Sequence, residues 1–128
     1  MSAGAEFIEF GRVDWAVESA SATPAELLEA AAATGARRKR LVAGQSGFFM
    51  NYSTLPAGFT VPVHSHSHDE LIVILEGGCT VLEGGPTLGP KDTMAITANH
   101  AYGFTCGPDG MRFLTIRGGE ASTDLTAG

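Results

Sequence analysis

The sequence predicts an all-β domain, an antiparallel sandwich or barrel with one short N-terminal helix, and three observations carry that reading. Seventeen glycines and six prolines among 128 residues demand many tight turns, while 44% hydrophobic content still supplies a core. From Arg37 onward the apolar residues fall into short runs, most of them bounded by glycine or proline, which is the punctuation of strands. Clear helix-start chemistry occurs once, near the N-terminus. A chain of this length makes one domain and is too short for two independent cores.

Residues 6–10 (Glu-Phe-Ile-Glu-Phe) read as an N-terminal strand and residues 13–17 as a second short extended piece, with Trp15 as a core plug or dimer contact. Thr23-Pro24-Ala25-Glu26 then places a capping hydroxyl, a proline at the first helical position and a glutamate three residues after the cap. Together these satisfy the free N–H groups of a helix start. Leu27, Leu28 and the alanines to Ala33 continue the helix and Gly35 ends it. Strands are expected at 37–42, 47–55, 59–66, 70–76, 79–83, 86–89, 93–97, 101–106 and 111–117. Leu75-Glu76-Gly77-Gly78 recurs as Leu82-Glu83-Gly84-Gly85, which reads as two consecutive hairpin turns, and Pro108-Asp109-Gly110 marks the last turn. The chain thus divides into an N-terminal strand and helix packed on the barrel (1–36), the barrel (37–117) and a frayed tail (118–128).

A formal charge of −6 argues against a nucleic-acid partner, which needs a basic face. The run Arg37-Arg38-Lys39-Arg40 holds half of the eight basic residues, but on a strand it splits two and two between faces. It reads as a solvated edge strand with one inward arginine, or as a carboxylate-binding or partner-binding element. No apolar run approaches the roughly 20 residues that cross a bilayer, and the start lacks a basic-then-apolar signal, so a cytoplasmic protein with no membrane partner is expected. Cys79 and Cys106 show no zinc-type spacing and read as buried free thiols.

The most informative segment is residues 58–70, Gly-Phe-Thr-Val-Pro-Val-His-Ser-His-Ser-His-Asp-Glu. Side chains two apart on a strand point the same way, so His64 and His66 aim both rings at one point, and Glu70 keeps that parity. Two neutral imidazoles and a carboxylate suit a divalent transition metal (iron, manganese, nickel or zinc) with positions left open for water or substrate. Calcium or magnesium would want more oxygens. His68 reads as a residue of the site's mouth or as a further ligand, and Asp69 as solvated.

These residues resemble the first motif of the cupin superfamily: Gly58, five residues, His64-x-His66, three residues, Glu70, six residues, Gly77. The resemblance covers about residues 37–117 and implies a double-stranded β-helix, or jelly-roll barrel. In the second cupin motif a Gly-Asp turn leads through an Ile-Pro-Ala-like strand to a histidine that is the fourth ligand. Here residues 89–104 align through Asp92 and Ile96-Thr97-Ala98, which puts Tyr102 at the histidine's place, with His100 two residues earlier. Two readings stay open: Tyr102 points into the barrel as an acid/base or substrate-orienting group, or His100 reaches back as the fourth metal ligand. Resemblance further implies a homodimer, with residues 6–10 as the candidate exchange strand, and a small-molecule ligand inside the barrel. Candidate wall residues are Phe49, Asn51, Tyr52, Phe59, Ile72, Ile74, Phe104 and Phe113, which favour a small, partly hydrophobic or aromatic molecule. The expected function is a mononuclear metal enzyme with Tyr102 and Glu70 as catalytic groups, running dioxygenase, isomerase or cyclase-like chemistry on an enolisable or aromatic substrate. A non-catalytic small-molecule or metal-binding module is the alternative.

Overall fold

The computed structural model describes residues 4–16, 35–119 and 123–124. Eight strands follow in chain order: β1 (Arg37–Ala43), β2 (Phe49–Leu55), β3 (Thr60–His66), β4 (Glu70–Leu82), β5 (Thr87–Leu88), β6 (Thr93–Ile96), β7 (Tyr102–Arg117) and β8 (Thr123–Asp124). All the pairings between them are antiparallel. The expected strand sites are therefore nearly all occupied, but two pairs of expected strands are fused: 70–76 with 79–83 into β4, and 101–106 with 111–117 into β7.

The fusion creates the barrel. The first half of β4 pairs with β6 and with residues 111–117 of β7, which also pair with β2 and through it with β1. The second half of β4 pairs with β5 and with residues 103–106 of β7, whose other edge meets β3. β4 and β7 thus pass from one sheet to the other around a shared corner, the device that joins orthogonal sheets. Register shifts flank the corner, between Ile74 and Glu76 and between Gly77 and Cys79. Gly77 and Gly110 both take positive φ there (70° each), and a Cβ on Gly77 would collide with the Gly110 carbonyl. Only glycine makes that bend without strain.

The core lies between the sheets: Ile72, Ile74, Cys79, Tyr102, Phe104, Cys106, Met111 and Phe113 form one buried cluster. Cys79 and Cys106 are both free and buried.

The N-terminal expectations need correction. Residues 6–10 form no strand, and Phe10–Arg12 is a single 3-10 turn around Gly11. The second extended piece is reduced to one bridge, Trp15 opposite Lys39, with the Ala16 N–H donating to the Arg38 carbonyl at 2.7 Å. These residues pack on the outer face of β1 and β2: Phe10 meets Tyr52 edge-on at 4.9 Å, and the buried Lys39 ammonium lies 4.1 Å from the Phe10 ring centre and donates to the Phe10 carbonyl. Tyr52 is therefore an outer-face residue and not a wall of the barrel interior. The helix expected from Thr23 to Ala33 lies outside the described residues. Within the expected tail, Thr123–Asp124 pairs with Ser65–His66 of β3. No helix among the described residues is long and apolar enough to cross a membrane.

Candidate functional site

β3 carries the two histidines to the barrel interior. His64 is buried, and its Nδ1 lies 2.7 Å from the Pro62 carbonyl. A carbonyl only accepts, so Nδ1 carries the proton and Nε2 keeps its lone pair. That Nε2 faces His66 Nε2 at 3.0 Å, with the rings at 84°. Two nitrogens each about 2.1 Å from one cation and at right angles to each other lie about 3.0 Å apart, so the pair is spaced as neighbouring ligands of one ion. Burial lowers the His64 pKa most, the Arg117 charge lowers it further, and the Pro62 carbonyl and Glu70 oppose the shift. The neutral, ligating form is favoured.

Glu70 opens β4 directly opposite Arg117, the last residue of β7. Its carboxylate is buried and held at both oxygens. Tyr102 Oη donates to Oε1 at 2.5 Å, and Arg117 Nε donates to Oε2 at 2.7 Å. Oε2 also lies 3.7 Å from His66 Nε2. Tyr102 comes from the other sheet, opposite His64, and its ring centre is 4.6 Å from that of His64. Its hydroxyl pKa is raised, first by burial, then by the Glu70 charge and by the hydrogen bond it donates there, with Arg117 opposing. The phenol is a proton donor in this arrangement. Among the described residues no group of three or more His, Cys, Asp or Glu side chains is arranged to hold a metal ion. The histidines converge, while Glu70 stands one step back in the grip of Tyr102 and Arg117. The donor types, two imidazoles and a carboxylate with lone pairs beyond these two hydrogen bonds, are those a divalent transition metal takes.

Comparison with solved structures places the architecture. The chain is similar to the polyketide cyclase RemF from Streptomyces resistomycificus (TM-score 0.63, 20% identity, 89% of this chain and 79% of that one). It is also similar to the DMSP lyase DddQ from Ruegeria pomeroyi (0.68, 22%, 91% and 62%). A cupin-superfamily sugar phosphate isomerase from Silicibacter pomeroyi matches as well (0.65, 22%, 88% and 74%). The fold is that of a cupin. No protein-family model matches the sequence, and no curated protein matches it either.

Within this barrel His64, His66, Glu70 and Tyr102 come together. His100 is exposed in the turn between β6 and β7, where its backbone N–H donates to the Thr97 carbonyl. His68 is also exposed, bonded through Nδ1 to the Ser67 hydroxyl and packed against Gly119. Asp69 is exposed but structural: Oδ1 accepts from the Ala98 N–H at 2.8 Å, and the Asn99 N–H donates to the His66 carbonyl at 2.7 Å. These bonds tie the turn after the histidines to the turn before Tyr102. Arg117 was missed in the sequence. Its signal was parity, since the alternation of Phe113 and Thr115 carries it to the inner face.

Proposed function

We propose that the chain is a mononuclear metal enzyme acting on a small oxygen-bearing molecule, with His64, His66 and Glu70 as the ligands of a divalent transition metal and Tyr102 as the group that moves a proton. The observation that carries this reading is the meeting of Nε2 atoms 3.0 Å apart with a phenol–carboxylate pair 2.5 Å apart in one apolar interior. A bound ion would supply polarisation of a carbonyl or enolate oxygen. The chain's own groups supply the rest. The Pro62 carbonyl fixes the His64 tautomer, and Arg117 orients Glu70. Tyr102 Oη holds a proton where it can be given to a substrate oxygen or returned through Glu70 Oε1. Ile72, Ile74 and Phe104 are buried in the same apolar cluster as Tyr102. Cyclase, lyase and isomerase names among the similar structures support a catalytic role without choosing a reaction.

The test is elemental analysis of protein purified without an affinity-tag metal, followed by turnover assays on enols, diketones and catechol-like compounds with and without a chelator. The expected result is about one transition-metal ion per chain and turnover that stops on chelation. Protein that stays metal-free after soaking in zinc, manganese, nickel and iron(II) salts overturns the reading.

A further inference from the structure

β1 gives the barrel interior a chemical bias beyond its metal ligands. The register sets Arg38 opposite Ser53, which faces Phe113, which faces Ile74. Arg40 likewise stands opposite Asn51, then Thr115, then Ile72. Directly paired residues in antiparallel strands share a face. Ile72, Ile74, Phe113 and Thr115 are buried, so that face is the inner one. Arg117 lies on the same face beside Glu70, between β2 and β4. Three half-buried guanidinium side chains thus line the interior, and Glu70 is the one carboxylate among the described residues of this face. This happens in a chain whose formal charge is −6.

We infer that the barrel selects a small, partly apolar organic acid, its carboxylate held by Arg117 together with Arg40. The inference rests on the proposed metal site only for where the reacting atoms lie. Arg117 uses Nε on Glu70, and its two terminal nitrogens have no hydrogen-bond partner among the described residues. The Arg117 side chain keeps 17% of its surface exposed. That leaves a planar fork of donors, whose geometry matches a carboxylate. Arg38 and Arg40 also engage other groups of the chain, and Arg40 keeps up to five N–H donors to divide between such a group and a ligand. β1 lies two strands from β7, about 10 Å across the sheet, and Arg40 is level with Thr115, two residues or about 7 Å along from Arg117, so the two side chains start about 12 Å apart and can reach one small molecule. The apolar surface of Ile72 and Phe113 beneath them fits the non-polar part of such an acid.

Phenylacetate and phenylacetamide differ mainly in charge and serve as the probe pair. Binding of each is measured by titration calorimetry on the wild type as purified, on chelator-treated wild type, and on Arg40→Gln and Arg117→Gln, with metal content determined on every sample. The acid is expected to bind about ten-fold more tightly than the amide, to keep that preference after chelation, and to lose most of it in either variant. Arg40 is on an edge strand, so its variant decides the matter should Arg117→Gln fail to fold. No measurable binding of the acid at millimolar concentration overturns the inference. So does a preference that disappears on chelation alone, or one unchanged in the folded variants. Protein that is metal-free as purified, stays so after soaking in transition-metal salts and still prefers the acid would defeat the metal reading and leave the acid site standing.

Discussion

Glu70 carries two hydrogen bonds from charged or strongly polar donors and is also the proposed third ligand, so single substitutions around it separate structure from chemistry. His64→Ala or His66→Ala is expected to abolish metal retention, because the remaining donors no longer converge. Tyr102→Phe is expected to keep the metal and lower kcat by about 10²-fold or more, the usual share of a proton-transfer group. Metal analysis beside a steady-state assay checks both, and metal loss in the tyrosine variant would make Tyr102 a ligand instead. His100→Ala is expected to keep full occupancy, in keeping with its exposed place. At this scale the sequence was legible where spacing encodes direction: the two-residue interval of His64 and His66 and the parity of Glu70 needed no tertiary knowledge. It was silent on Arg117, whose partner is 47 residues away.

Motif glycines also mark the elements. Gly58 and Gly77 both have positive φ, which explains why those two positions need glycine, and the corner at Gly77 is the stricter one because of the Gly110 carbonyl. Gly77→Ala is expected to cost at least about 2 kcal/mol in denaturant unfolding, from strain and displaced backbone together. Next to the corner, Cys79 stands directly opposite Cys106. Burial, with the neighbouring thiol adding to it, pushes Cys106 up to about 12 from 9.0, so the native state favours the protonated thiol. That stability is complete below about pH 9 and is lost as pH rises from 9 toward 12. Unfolding midpoints measured across that window should fall, and should fall less in Cys106→Ala when each protein is compared with its own midpoint at pH 8. Fusion of the expected hairpins into bent strands was not legible, because glycine pairs such as Gly77-Gly78 serve a turn and a sharp corner equally well.

For the molecule as a whole, the jelly-roll class was readable from turn density and from the motif, whereas the N-terminal segment was not. Its apolar residues suggested a strand, but Gly11 and the lack of a paired neighbour leave a 3-10 turn that packs on β1 and β2 through Phe10 and Trp15. Phe7 remains almost wholly exposed, and Phe48 is exposed too. A homodimer that covers these exposed side chains is expected by sedimentation at micromolar concentration, and Phe7→Asp with Phe48→Asp should shift it to monomer. A wild-type monomer under those conditions removes the expectation.

The shared corner of β4 and β7 has a mechanical consequence. From Gly77 to Glu70 the strand is a lever of about 23 Å, so a rotation of two to three degrees at its fulcrum swings the carboxylate by about 1 Å. A misplacement of that size can cost about 10²-fold in rate, so, if the proposed chemistry holds, the sulfur-rich packing of Met111, Cys79 and Cys106 at the corner sets its rate from a distance.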